Sequence, residues 1–418
     1  MSSVAENIQL AQSLFGPSEC GFGAAGKGPQ YENWKSLAHY ILEWYYEPDL
    51  EALRMTYSII CAHFALPDKP AWFFLLGNSG TGKTALAIEP CGKLPRTHLL
   101  SQVSRNSFLS GYRGSDNSCK GILQRGDASS SMVWLFQDFT SIISGDYNEM
   151  KKLAGIFREV WDGHTSKDTG NLGKLDWTGR VTAIAAGTPA VERHWAAFRS
   201  LGERFITYRW RSTQNRQEAM RWVARQAPYR TQISKELCTR VTNLLDARWL
   251  SKLSKAQDFS NLPEAFFDKI CILAELVSQL QTPVERDFKG KVRYVPDAEF
   301  PSRLIAAAQY LIKGHMVFMG RPLVGPPELK LAKKLLLDSI PVHRRAILDV
   351  LPLDGSPLNR NVLAKLTRVP KQSLYEEVEE LAALDIIEIS DAKAEPAICW
   401  SQSFLTLAER SGMFQKVQ

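Results

Sequence analysis

Residues Gly77, Asn78, Ser79, Gly80, Thr81, Gly82, Lys83 and Thr84 spell GNSGTGKT, a full match to the phosphate-binding pattern G-x-x-x-x-G-K-[ST]. Glycines at these positions let backbone N–H groups turn inward around phosphate oxygens. A lysine at the seventh place reaches the β- and γ-phosphates, and the hydroxyl at the eighth can ligate Mg²⁺. The chemistry needs a strand before the loop and a helix after it. Ala71 to Leu76 (AWFFLL) is an apolar run of buried-strand length, and Ala85 to Glu89 can continue as helix until Pro90. A chance glycine loop is the alternative, and the flanking elements argue against it. The stretch predicts a site for a nucleoside triphosphate, with ATP and Mg²⁺ as cofactors. A second G-x-G-x-x-G, from Gly21 to Gly26, has no apolar strand before it and reads as linker.

A P-loop site also needs an acid to hold Mg²⁺ through water. Met132 to Gln137 is an apolar strand that ends in Asp138, about 55 residues beyond the lysine, and Asp138 suits that role. It could instead be an ordinary acid at a strand end. The next residue is Phe139, where many such enzymes carry a glutamate that activates the attacking water. Glu149, Glu159 and Asp162 are the substitutes in reach, or hydrolysis is slow.

With 418 residues, 44% of them apolar and 23% charged, the chain has the make-up of an ordinary globular protein of two or three domains. No apolar run reaches membrane-spanning length, and the first residues lack a basic-then-apolar secretory pattern. Seven cysteines occur without a C-x-x-C pair, which argues for reduced thiols in a cytoplasmic setting and against structural zinc. The net charge of +7 points weakly to a polyanionic partner.

Residues 1–30 are polar and glycine-rich and read as a flexible segment. From Tyr31 the pattern turns helical, with an aromatic set (Trp34, Tyr40, Trp44, Tyr45, Tyr46) that is packing or, less simply, an adenine platform; Asp49 suits an N-cap. Short apolar runs at Thr97–Leu100, Val181–Ala186 and Phe205–Trp210 join the two already named. Alternating with helical segments, they predict a parallel sheet covered by helices. Ser107 to Gly114 reads as a polar loop in which Arg113 could meet phosphate or a neighbouring subunit. Between the helix Asn148–Trp161 and the next strand, His164 to Thr178 reads as a glycine-bearing hairpin with Lys167 and Lys174 near its tip. Residues 216–338 are largely helical. Beyond them, three helices and two strands follow in order, with Lys371, Gln372, Ser373 and Tyr375 opening the third helix and four glutamates in its second half.

Taken together, these motifs resemble the AAA+ ATPases over about Tyr31 to Leu337, and most closely the minichromosome-maintenance branch. The resemblance implies an α/β fold: an AAA+ P-loop core with a parallel sheet (31–215), a helical lid (216–338) and a C-terminal winged helix-turn-helix (339–418). It places the polar sensor that orients water at Thr188, and an arginine finger for the neighbouring copy's γ-phosphate at Arg204. A second sensor falls at Arg303, and a DNA-gripping hairpin carries Lys167 and Lys174. On the residues alone, Arg204 could equally pair with Glu203 or Glu192, and Arg209 and Arg211 compete for the finger role. The resemblance implies a homo-oligomeric ring or filament with nucleotide between subunits, DNA as partner, other proteins of the same module, and no membrane. Lys371, Gln372 and Ser373 suit DNA contacts, while the glutamates behind them leave a protein-binding role open. The expected function is a DNA-associated, ATP-driven motor or initiator of a mobile element or phage-type module. The alternative is an ATP-dependent assembly switch, as in a transposition regulator or a defence complex, that separates no strands. A metabolite kinase fits poorly, because nothing resembles an acceptor site.

Overall fold

The computed structural model describes residues 33–67, 69–110, 121–124, 130–143, 147–170, 173–194, 204–245, 262–321, 323–390 and 396–412. The expected flexible segment 1–30, Arg113 and Glu203 lie outside them. The chain divides into two compact units, Met1–Asn261 with Gln309–Glu328, and Leu262–Ala308 with Leu329–Gln418. Residues 216–338, expected as one helical segment, are shared between the two.

The first unit contains seven strands: β1 (Trp72–Leu76), β2 (Thr97–Leu100), β3 (Ser131–Phe136), β4 (His164–Thr169), β5 (Gly173–Thr178), β6 (Arg180–Gly187) and β7 (Phe205–Arg209). Five of them form a wholly parallel sheet in the order β2-β3-β6-β1-β7. β1 is buried along its whole length and bonded on both sides, which is why it reads as an uninterrupted apolar run. Its last residue, Leu76, stands level with Gly187 of β6 and Arg209 of β7. β4 and β5 form a separate antiparallel hairpin, with Lys167 opposite Leu175 and Asp168 opposite Lys174.

Under one face lies an aromatic core. Phe74 stacks on Phe205 with centroids 4.2 Å apart, and Trp72, Trp134, Phe136 and Phe139 pack around Phe157 of the helix Tyr147–Asp162. The helix Leu50–Ala65 is joined to the sheet by hydrogen bonds: His63 Nδ1 lies 2.9 Å from Thr182 Oγ1, and its Nε2 lies 3.1 Å from Ser131 Oγ. Burial, with Arg180 and Arg96 nearby, lowers the His63 pKa to about 3, so the ring is neutral. The second half of the helix Ser302–Met319 crosses this helix at Gly314, where an added Cβ would stand 2.3 Å from Ser58 O. The aromatic set is packing: Trp34 lies against Tyr57 and Phe318, and Tyr46 and Trp44 lie against Trp222 and Tyr229.

The second unit holds the helix Glu264–Gln281, a small antiparallel pair β8 (Glu285–Arg286) and β9 (Val292–Tyr294), and the helices Val342–Leu348, Arg360–Thr367, Lys371–Ala383 and Gln402–Ser411. Strands β10 (Leu358–Asn359), β11 (Ile387–Ile389) and β12 (Ala397–Trp400) form an antiparallel sheet in the order β10-β12-β11. Among the described residues no helix is long and apolar enough to cross a membrane.

One buried carboxylate pins the first helices to the sheet. Asp49 caps the helix Leu50–Ala65 by accepting from Ala52 N at 3.0 Å, and accepts again from Tyr208 Oη at 3.1 Å and Arg211 N at 2.8 Å. Removing it orphans three donors in a dry site, which costs about 3 kcal/mol. Asp49→Ala is therefore expected to lower the urea midpoint of the tryptophan-monitored transition clearly. A midpoint equal to wild type would show that the carboxylate is not a structural anchor.

Candidate functional site

The phosphate-loop residues lie at the carboxyl end of β1. The loop opens at Gly77, whose N–H bonds Gly187 O at 3.1 Å, and so starts against the end of β6. Gly80 and Gly82 take φ of +78° and +86°, a region that disfavours any side chain, and these two residues turn the chain back over the strand end. Thr81 Oγ1 donates to Asn78 O at 2.9 Å, tightening the loop, while Ser79 is exposed. The expected helix after the loop is shorter than its sequence suggests. Thr84–Ile88 forms one wide turn in which Glu89 N reaches back to Thr84 O, and a 3₁₀ segment, Glu89–Lys93, follows. Pro90 is the cause, since it lacks the N–H a continuing helix requires. Tyr57 Oη holds the wide turn by donating to Leu86 O at 2.7 Å.

Lys83 is the unusual group at this site. It is only 7% exposed. Its ammonium donates to Gly77 O and Asn78 O, both at 2.7 Å, and to Thr81 Oγ1 at 3.3 Å. No carboxylate among the described residues pairs with it. Burial lowers its pKa to about 8, with Asp138 acting in the opposite direction from further away. A desolvated cation held by neutral oxygens, under a loop of inward-turning amides, fits a polyanion.

Asp138 and Thr188 stand on the neighbouring strand ends. Asp138 follows β3 and is exposed; its Oδ1 accepts from Thr140 N at 3.0 Å. Thr140 Oγ1 in turn accepts from Thr188 N at 2.9 Å and lies 3.3 Å from Thr188 Oγ1. Thr140 thus couples the acid to Thr188 at the end of β6. The sequence reading passed over it, although an Asp with a Thr two places on is a recognisable turn signal. Thr84 Oγ1 donates to Gln137 O at 3.3 Å, which brings the loop to the end of β3, and Gln137 Oε1 accepts from Ser101 Oγ at 2.6 Å. Lys83, Thr84, Asp138 and Thr188 are therefore gathered at one end of the sheet. Among the described residues no three His, Cys, Asp or Glu side chains converge on a metal position. Thr84 and Asp138 offer two oxygens, which suits an ion that takes its other ligands from phosphate and water.

The other named residues lie elsewhere. Arg204 precedes β7 and so sits at the amino end of the sheet, one five-residue strand or about 16 Å from the level of the loop. It packs over Trp161 and pairs with Asp162 at 3.4 Å, not with Glu192, which holds Arg209 at 2.6 Å. The Arg211 side chain is exposed. Asp162 is committed to Lys69 and Arg204, and Glu159 accepts from Thr165 Oγ1 in β4. Phe139 is buried in the aromatic core, so the position after Asp138 faces inward. Lys167 is turned onto Asn106 Oδ1 and Leu109 O, both at 3.0 Å, whereas Lys174 pairs with Asp176 on the exposed hairpin.

In the second unit, Arg303 pairs with Glu299 at 2.7 Å. Lys371 and Gln372 are exposed and Ser373 is half-buried at the start of their helix. The glutamates behind them are engaged. Arg344 takes Glu377 at 3.0 Å and Glu380 at 2.7 Å, and Arg286 takes Glu379 at 2.7 Å and Glu380 at 3.0 Å.

No protein-family model matches the chain, and no curated protein matches it significantly.

Lysine's ordinary pKa of 10.5 exceeds the folded value of about 8, so between these limits the unfolded chain binds more protons. The lysine's contribution to stability therefore rises with pH across that window. Wild type is expected to gain stability relative to Lys83→Met between pH 8 and 10, measured by urea unfolding at each pH. A constant difference would show that the ammonium is not desolvated.

Proposed function

We propose that the chain is a DNA-associated AAA+ ATPase, an ATP-driven motor or initiator of a mobile-element or phage-type module. The observation that carries this reading is the buried, anion-seeking Lys83 inside a matching phosphate loop, with Asp138 and Thr188 on the adjacent strand ends. In an open parallel sheet, ligands sit outside the carboxyl ends where strand order reverses. β1 is such a place, since the later strands β6 and β7 flank it on opposite sides.

The roles follow from the geometry. Backbone N–H groups of Gly77 to Gly82 receive phosphate oxygens, and Lys83 exchanges its carbonyl partners for charged ones. Thr84 and Asp138 hold Mg²⁺, which supplies charge neutralisation along the triphosphate when bound. Thr188, braced by Thr140, orients a water. Arg204 lies at the wrong end of the sheet for its own loop, so a finger role requires a second copy of the chain, and the protein works as a homo-oligomeric ring or filament in the cytoplasm. To act, Arg204 must leave Asp162. On this reading residues 216–338 act as the lid, with Arg303 as second sensor. Residues 339–418, three helices with an antiparallel sheet, act as a winged helix that meets DNA through Lys371, Gln372 and Ser373. Lys174 serves at the hairpin, and Lys167 first has to release Asn106.

A second reading rests on Phe139. A buried phenylalanine follows Asp138, and Glu159 and Asp162 are engaged elsewhere, so hydrolysis is slow and ATP serves to switch assembly on. ATPase rates with and without single- and double-stranded DNA, followed by strand displacement, separate the two. Stimulation with displacement supports the motor; DNA binding without displacement supports the switch.

Lys83→Ala is expected to abolish nucleotide binding, and Arg204→Ala to abolish turnover while sparing binding. Mixed together, the two variants should recover turnover, because the first supplies the arginine and the second an intact pocket. Full activity of Arg204→Ala alone would remove the finger assignment.

A further inference from the structure

The helix Arg216–Gln226 buries none of its eleven residues, and the whole stretch Arg211–Gln232 lies at the surface of the first unit. It carries five arginines (Arg211, Arg216, Arg221, Arg225, Arg230) against one acid, Glu218. Among the described residues none of the five guanidinium groups forms an ion pair. Glu218 is turned inward: its Oε2 accepts from Tyr46 Oη at 3.3 Å and from Asn215 Nδ2 at 3.2 Å. Trp222 is also turned inward and donates to Trp44 O at 3.2 Å.

Helical spacing sorts the rest. Glu218, Trp222 and Gln226 form the row that faces the protein. Arg216, Met220, Val223 and Ala227 form the outward row, and Arg221 and Arg225 form its flank. Met220 and Val223 are 64% and 66% exposed, and Tyr229, just beyond, is 53% exposed with its ring also touching Trp44. Unpaired arginines alternate here with exposed apolar and aromatic side chains. Such a surface tracks a phosphate backbone while offering faces on which bases stack.

We propose that Arg211–Gln232 is a binding surface for single-stranded nucleic acid. It is separate from the hairpin and from the helix that Lys371 opens, and it depends on the functional reading above only for the presence of DNA as a partner. A single strand fits better than a membrane surface. The outward apolar row holds only a methionine, a valine and an alanine, and the one large aromatic of the helix, Trp222, faces the protein. Membrane-lying helices present large apolar side chains to the lipid. A single strand fits better than a duplex because the apolar groups have no use on a paired backbone.

The test uses the full chain without nucleotide and a short fluorescein-labelled oligothymidylate, with anisotropy read from roughly 50 to 200 mM salt. The triple variant Arg221→Ala, Arg225→Ala, Arg230→Ala is expected to bind about tenfold more weakly. Its log–log salt slope should be shallower by about 2, at about 0.7 per lost phosphate contact. Met220→Ala with Tyr229→Ala should weaken binding with the slope unchanged, since stacking releases no counterions. Unchanged affinity and slope in the triple variant, with wild type still binding, would refute the surface and leave the DNA reading standing. A wild type that binds no DNA at all would remove both. Loss of binding to phosphatidylserine vesicles, with oligonucleotide binding intact, would overturn the choice of partner. Thermal unfolding of both variants should match wild type, as expected for exposed side chains without partners.

Discussion

An ammonium group stripped of most of its water, with only neutral oxygens for partners, governs the loop end of the sheet. Lys83 is held there because the strand before it cannot move: β1 is bonded on both sides and packed on both faces. The positive φ values at Gly80 and Gly82 return the chain over that strand end, and the carbonyls of Gly77 and Asn78 take two of the three ammonium protons. Carbonyl dipoles compensate a buried charge only in part, and the nearest carboxylate to be felt, Asp138, is exposed. The remaining groups at this end (Thr84 on Gln137, Thr140 between Asp138 and Thr188) are hydroxyls and amides with capacity left for further hydrogen bonds.

The two ends of the sheet differ in this respect. At the amino ends the polar groups close on one another. Arg180 donates to Leu66 O and His63 O, the His63 ring is shared between Thr182 and Ser131, and Arg204 lies between Trp161 and Asp162. Closed networks of this kind stabilise and do little chemistry. Arg204 is the exception in interest, since it is a guanidinium whose present partner, Asp162, is itself half-exposed and shared with Lys69. Exchanging a shared, solvated carboxylate for a phosphate costs less than breaking a buried pair.

The five parallel strands were legible because strands buried on both faces read as unbroken apolar runs, and the phosphate loop was legible because its residue types follow directly from what phosphate requires. Other features left no pattern. β8, β9 and β10 are two or three residues long, too short for any periodicity to show, and the helix Gln402–Ser411 was missed with them. The wide turn after Thr84 depends on Pro90 and on Tyr57, which is distant in sequence. The partner of Arg204 lies 42 residues away, beyond any local rule, so the candidates Glu203 and Glu192 were only the nearest acids. The inward direction of Phe139 follows from the packing of Phe74, Phe136 and Phe205 and not from its neighbours in sequence.

Charge shows the same limit in a form that matters for partners. The helix Lys371–Ala383 reads as acidic, yet the fold spends its glutamates internally. Glu377 and Glu380 meet Arg344, which is fully buried and also bonded to Leu280 O and Thr282 O; Glu379 and Glu380 meet Arg286; and Glu376 accepts from Gln372. Arg344 is equally lost as a surface cation, so the acids and the base that seemed to offset one another outside do so inside. The arginines of 211–232 follow the opposite course. Their one neighbouring acid is drawn inward by Tyr46, and nothing in the described fold neutralises them. A net charge of +7 therefore says little about where a polyanion would settle. What decides that is which charges the fold leaves without partners, and the stretch from Arg211 to Gln232 holds an uncompensated group of them.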